Sequence, residues 1–330
     1  MRQENPVPPT TPDRDAVAAA ICQSRRVLIF SHVNPDGDAF GSTLGLMWGL
    51  RALGKSAPVS IADPVPFNYR FLPGWPEIAS RFPTDEDLII TVDGSDPTRF
   101  GPGFSPDTVG QRPVIVIDHH VTNPRFGTIN WVDPGYPACA QMIYDLLQTL
   151  GVPISPEIAT CLLTGIATDT LGFSTDHTTP EIVQAAGELM RAGGDLPFIL
   201  KQAYSTRRLS DVRLWGHILM TLQLERHLTW IESRLEDRRA VGASEGDGSG
   251  VASFVLSIEG VTVAALFVER EDGTTKVSLR SAVGWDVAQV AAALGGGGHP
   301  QAAGVTLSLP LAEARALVLH HLAQLRLQEE

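Results

Sequence analysis

Three short apolar runs, each ending in histidine or aspartate, constrain this 330-residue chain more than any other feature. Val27-Leu28-Ile29-Phe30 leads into Ser31-His32 and then Asp36 and Asp38. Leu88-Ile89-Ile90-Thr91-Val92 ends in Asp93, and Val114-Ile115-Val116-Ile117 ends in Asp118-His119-His120. Continuous apolar runs of this length, set between helical stretches, read as strands buried on both faces. The expected fold class is therefore α/β, with an N-terminal, mostly parallel sheet flanked by helices. In such a sheet the carboxyl ends of the strands open onto one edge, where ligands bind. One Asp before a helix could be a simple N-cap. Three strand ends carrying the same residue types point to one shared site.

The residue types are those of a metal centre. His32, Asp36, Asp38, Asp93, His119 and Asp169 offer more donors than one ion needs. Mixed imidazole and carboxylate ligands suit two divalent cations sharing a bridging carboxylate, Mn²⁺ first, with Mg²⁺, Co²⁺ or Fe²⁺ as alternatives. Two such ions ~3.5–4 Å apart activate water and clamp the oxygens of a phosphoryl centre. Gly37 is expected to permit a tight turn that aims Asp36 and Asp38 inward. In the extended segment Asp118-His119-His120, neighbouring side chains point to opposite faces. One histidine can ligate while the other faces substrate or supports a ligand. Asp96 reads as a turn residue beside Pro97, and Asp176 and His177 as structural residues before a helix start.

The composition is that of an ordinary globular protein, 43% hydrophobic and 19% charged. A net charge of −12 argues against a long duplex partner, but not against a small anionic substrate met by bound cations. Three scattered cysteines form no CxxC pair and fit a reducing cytoplasm. No run approaches the ~18 apolar residues of a membrane helix. Residues 1–14 read as a disordered, proline-rich tail, 15–195 as the catalytic domain, 196–224 as a helical linker, and 225–330 as a smaller α/β domain. Helices are expected at 15–24, from Gly41 to Leu53, and at 139–150, 156–167 and 182–192, the last opened by Thr178 and Glu181 as a capping box. The aromatic residues Phe67, Tyr69, Phe71 and Trp75 read as satellite core packing. In the second domain Ala252–Ile258 and Val261–Val268 are expected to form a hairpin around Glu259-Gly260. Lys276–Arg280 and Val305–Leu309 follow as strands, and Leu311–Leu327 as a helix.

Gly295-Gly296-Gly297-Gly298-His299 is a second chemical signal. Such backbone lets a phosphate approach closely and can present N–H groups to it. Arg280, at the end of a strand, offers a planar fork suited to phosphate.

At these residues the chain resembles the DHH phosphoesterase superfamily, in the branch with a DHHA1 domain. HVNPDGD with Gly41-Ser42, VDGSD, Asp118-His119-His120 and TDTLGFST resemble its four metal motifs. KVSLRS and GGGGHPQAAG resemble the DHHA1 signature. The resemblance implies His32 and Asp36 on one Mn²⁺, with Asp38, His119 and Asp169 on the other, and Asp93 bridging. It implies that Asp118 supports the ligands and that His120 faces the scissile phosphate. Arg280, Gly296, Gly297, Gly298 and His299 would hold the far end of the substrate across a cleft between the domains. Within the superfamily the length and domain pair resemble the NrnA-like group. That implies hydrolysis of short single-stranded oligonucleotides (nano-RNA, pApA) to mononucleotides, of pAp to AMP, or of both. A cyclic di-AMP phosphodiesterase is the alternative, and a nucleotide-binding sensor with little turnover a further one. Neither long duplex nor membrane is expected as a partner, and a homodimer is left open.

Overall fold

The computed structural model describes residues 11–243, 248 and 250–325. Residues 1–10 of the expected tail, 244–247 and 249 of the glycine-rich segment, and 326–327 of the expected last helix lie outside them. The chain divides into two compact units, Met1–Thr206 and Arg207–Glu330.

The first unit holds β1 (Val27–Phe30), β2 (Val59–Ser60), β3 (Leu88–Val92), β4 (Val114–Asp118) and β5 (Ile129–Val132). They form one parallel sheet in the order β2-β1-β3-β4-β5. Every residue of β1, β3 and β4 is buried. Successive side chains serve two cores. Ile29, Ile90, Ile115 and Ile117 pack with the helices on one face, while Leu28, Phe30, Ile89 and Val116 meet Phe100, Phe104 and Phe126 on the other. The apolar runs therefore lack alternation because both faces are covered. β5 was not expected; INWV is a short edge strand whose first two residues are only partly buried. Tyr69, Phe71 and Trp75 pack against the main core.

The unit's helices are α1 (Thr11–Gln23), α2 (Gly37–Ala52), α3 (Pro106–Val109), α4 (Cys139–Thr149), α5 (Pro156–Asp169), α6 (Pro180–Arg191) and α7 (Leu196–Leu200), with a π-helical turn over Lys201–Ser205. α2 starts four residues earlier than expected, because Asp36 is its N-cap. α6 is capped by Thr179 rather than Thr178, since Pro180 takes the first helical position and places the cap directly before it. α2 and α5 lie unusually close. A Cβ at Gly41 would stand 2.5 Å from the carbonyl oxygen of Cys161, and one at Gly165 2.5 Å from both Ala140 Cβ and Asp38 Oδ1.

The second unit contains α8 (Leu209–Met220), β6 (Gln223–Glu225), β7 (Leu228–Ser233), α9 (Leu235–Val241), α10 (Val251–Leu256), β8 (Val263–Glu269), β9 (Thr275–Ser281), α11 (Val287–Ala293), β10 (Gly297–His299), β11 (Ala302–Leu307) and α12 (Leu311–Leu322). Its sheet runs β10-β11-β9-β8-β7-β6. β7 and β8 are parallel, so a crossover must connect them. That crossover holds α9 and α10, and the expected Ala252–Ile258 strand is instead the helix α10. Val251, Ala252 and Val255 face the core there at helical spacing. A short apolar run does not distinguish a buried helix from a strand. β6 and β7 were also not expected. Among the described residues no helix is long and apolar enough to cross a membrane.

Candidate metal centre

The strand order places β1 beside β3, with β2 on one side and β4 on the other, which is the switch point where α/β sheets open a crevice. His32 and Asp93 leave the sheet there. Ser31 Oγ ties the two strand ends together by donating to the Val92 carbonyl at 2.9 Å. Asp93 has φ +58°, a left-handed conformation uncommon for a non-glycine residue and most accessible to Asn and Asp.

Asp93 is 2% exposed and sits between three imidazoles. Its Oδ2 is 3.8 Å from His32 Nε2, and its Oδ1 is 3.5 Å from His119 Nε2 and 3.9 Å from His120 Nδ1. His119 Nε2 is also 3.4 Å from Asp169 Oδ2. The opposite ring nitrogens of the first two histidines face backbone carbonyls, His32 Nδ1 at 2.8 Å from Val33 and His119 Nδ1 at 3.1 Å from Tyr136. With Nδ1 protonated, each Nε2 lone pair is aimed at the acid cluster, the usual posture of a metal-ligating histidine.

The carboxylates are held just as specifically. Asp36 Oδ1 accepts from the Asp38 and Ala39 amides at 3.0 Å each. It is thus both the cap of α2 and a member of the cluster. Asp38, 1% exposed, accepts from the Cys139 and Ala140 amides at 2.5 and 2.9 Å, at the start of α4. Asp169 is the last residue of α5, brought to Asp38 by the close approach of α2 and α5. Gly37 was expected to serve a tight turn. It is the first helical residue instead, and a Cβ there would strike the Thr168 side chain at 2.4 Å.

Donor atoms within 4.8 Å of one another form the groups His32/Asp36/Asp93, Asp38/His119/Asp169 and Asp93/His119/His120. Without cations the groups perturb one another. Burial, with the charges of Asp93 and Asp169, pushes Asp38 well above the carboxylate range. Burial pushes Asp169 to about 7 against the pull of His119, with Asp93 adding to the rise. Burial also opposes ionisation of Asp93, but the neighbouring His119 and His32 imidazoles outweigh it and hold that carboxyl far below its usual value. Crowded carboxylates with aimed imidazoles fit divalent cations, which would neutralise the repulsion.

Asp118 is fully buried and accepts from the His119 amide, His120 Nδ1 and Asn123 Nδ2 at 2.9, 2.7 and 2.6 Å. Its oxygens are thereby committed to holding the loop. Asn123, which sequence reasoning missed, also donates to the Gly94 carbonyl at 3.2 Å and so links the ends of β3 and β4. Asp96 caps the turn Pro97–Arg99 by accepting from Thr98, and Asp176 and His177 are exposed and outside the three groups. The α2–α5 contact was also missed, although glycines at 37, 41 and 45 carry its signal, a small residue every fourth position on one helix face.

In the second unit Arg280 lies on β9 opposite Ala302 of β11, which in turn pairs with His299 of β10. Arg280 is partly buried, its Nη1 donates to the Leu279 carbonyl, and burial lowers its pKa. No carboxylate pairs with it among the described residues. The glycines have structural roles that were not foreseen. A Cβ at Gly296 would strike the Gly304 carbonyl oxygen, and Gly298, at φ +143°, would place one 2.5 Å from the Ala302 carbonyl oxygen. At Gly297 a Cβ would meet open space.

A parallel sheet with this acid–imidazole cluster at its switch point defines the class. Residues 26–166 match the DHH family, N-terminal domain, and residues 238–325 the DHHA1 domain, and the chain belongs to the DHH/DHHA1 family. It is 41% identical over 306 residues to the bifunctional oligoribonuclease and PAP phosphatase NrnA of Thermus thermophilus, covering 89% of this chain and 88% of that one. Among solved structures, an exopolyphosphatase-related protein from Bacteroides fragilis is similar with a TM-score of 0.91 and 26% identity, over 98% of each chain. An exonuclease RecJ bound to manganese shares the fold, with a TM-score of 0.55 and 18% identity over 96% of this chain and 95% of that one.

Proposed function

We propose that this protein is a metal-dependent phosphoesterase. It hydrolyses short single-stranded oligonucleotides to nucleoside monophosphates and removes a phosphate from pAp to leave AMP. The observation that carries this reading is the pair of donor groups, His32/Asp36/Asp93 and Asp38/His119/Asp169, with Asp93 placed to serve both. The Thermus relative, whose name gives both activities, supports the substrate class. Two cations, Mn²⁺ foremost, would supply a water nucleophile at neutral pH and neutralise phosphoryl charge.

The chain's own residues do the rest. Asp93 joins the two halves of the site through its separate oxygens. The α4 amides fix Asp38, and the Val33 and Tyr136 carbonyls fix the two Nε2 lone pairs. His120 Nδ1 is committed to Asp118, so a phosphoryl contact from this ring is made through Nε2. Burial lowers the proton affinity of His120, but Asp118 and the Asp93 charge outweigh it and raise the pKa. The ring is thereby suited to hydrogen-bond a developing phosphate charge. Arg280, with Gly296, Gly297, Gly298 and His299, binds the part of the substrate remote from the reacting phosphorus. Three free cysteines with no CxxC pair support the cytoplasm as its place of action.

Purified protein with Mn²⁺ should be incubated in parallel with pAp, pApA, cyclic di-AMP and short RNA. Release of AMP from pAp and of mononucleotides from pApA and short RNA is expected, each faster than cleavage of cyclic di-AMP. Preferential cleavage of cyclic di-AMP would replace this reading with that of a cyclic dinucleotide phosphodiesterase. Binding without turnover would replace it with that of a sensor.

A further inference from the structure

A cavity of about 860 Å³ lies within the second unit, between α8, the start of α9, β7 and α12. Its size is that of a small-molecule site. It shares no residue with the metal centre or with the Arg280 and glycine segments. Trp230 and Glu232, two apart on β7, line it from one face of the strand.

Glu232 organises the cavity. The residue is 4% exposed, and a carboxylate so buried is stable only when paired. Its Oε2 accepts from Arg234 Nε and Nη2 at 3.2 and 3.0 Å, and its Oε1 accepts from Arg315 Nη1. Two guanidiniums thus converge on one carboxylate, leaving a positive charge in excess on the triad. Both remain partly exposed, at 45% and 39% of their side-chain surface. The exposed Glu236 approaches Arg234 only to 3.9 Å. Asp237, the other acid of the lining, lies 3.0 Å from His217 Nδ1, and its charge also acts on Arg234.

We propose that this cavity binds a phosphate monoester. Guanidiniums pinned by a buried carboxylate are pre-oriented forks, and their remaining N–H groups suit phosphate oxygens better than a flexible ammonium would. His217, oriented by Asp237, adds a ring nitrogen to the same lining. The Trp230 indole provides a flat surface on which a base can stack. Free phosphate and a nucleoside monophosphate share this chemistry.

The test uses the full chain, stripped of metal with excess chelator so that the metal centre takes up no phosphate. Inorganic phosphate and adenosine 5′-monophosphate are titrated separately by calorimetry. The same titrations are run in Arg280→Ala, which removes the substrate contact proposed for Arg280, and one site per chain is expected to persist there. Arg315→Met should weaken binding about ten- to a hundredfold, the effect of losing a charge-assisted contact, and Arg315→Lys should not fully restore it. If Arg315→Met melts early, Arg234→Met serves as the second variant and should weaken binding similarly. Tighter binding of adenosine 5′-monophosphate, lost in Trp230→Leu, assigns the site to a nucleotide, whereas equal affinities assign it to free phosphate. No binding at millimolar concentration, or binding indifferent to both arginine variants, overturns the proposal.

Discussion

On the function proposed above, the two units would handle phosphate in opposite ways. In the first, buried parallel strands end in acids and imidazoles whose second atoms are tied to backbone groups. The Asp38 oxygens meet amides of α4, and His32 and His119 meet carbonyls. In the second, Arg280 lies on an antiparallel sheet beside glycine-rich edge backbone, with a backbone carbonyl as its nearby partner. The first arrangement builds up negative charge and needs cations; the second presents positive charge directly. On that reading the first is a rigid site suited to chemistry and the second a simpler one suited to binding. Loss of a rigid shared ligand should damage turnover, whereas loss of a binding contact should damage the capture of a large substrate.

The largest effect should follow loss of the shared carboxylate. Asp93→Ala is expected to lower kcat by more than about 10³-fold, because water activation and phosphoryl clamping fail together. The protein should still fold, as judged by circular dichroism. Turnover within tenfold of the parent would show that the two donor groups do not act as one centre.

Arg280→Ala should sharpen the comparison from the other side. Loss of one charge-assisted phosphate contact costs about 1.5–3 kcal/mol, or roughly one to two decades in kcat/KM on pApA. Hydrolysis of bis-p-nitrophenyl phosphate, which has no remote phosphate to hold, should barely change. Equal damage to both substrates would move Arg280 into the catalytic machinery.

A packing change tests whether the first site depends on the close approach of α2 and α5. Gly41→Ala puts a Cβ 2.5 Å from the Cys161 carbonyl oxygen and 2.6 Å from the Gly165 nitrogen. Overpacking of this kind costs about 1–3 kcal/mol, and should lower the denaturant midpoint while weakening Mn²⁺ binding. An unchanged midpoint would mean that the helices separate without strain. Asp96→Ala should have the smallest effect. It removes an exposed cap of a short turn, so stability should fall by about 1 kcal/mol or less and activity should stay within about twofold. A large loss of activity would make Asp96 part of the site.

The acid–imidazole cluster was legible because most of its parts are local. Each apolar run is short, buried on both faces and ended by a donor, so pattern and chemistry coincide in a few residues. What escaped depends on distant partners. α10 resembles a strand until the parallel pairing of β7 with β8 demands a crossover. β5 and β6 are short edge strands, and the residues of β6 are all exposed, which removes the apolar signal. Gly37 was assigned to a turn because its neighbour across the helix interface, Thr168, lies more than 130 residues away. The second role of Asp36, as a cap, was visible locally and is compatible with the first.

If two cations share this cluster through Asp93, titration of Mn²⁺ into metal-stripped protein will count them. Two ions per chain should bind, with hydrolysis of pAp appearing as the second site fills and vanishing in excess chelator; one ion per chain at full activity, or activity that survives the chelator, would contradict that sharing.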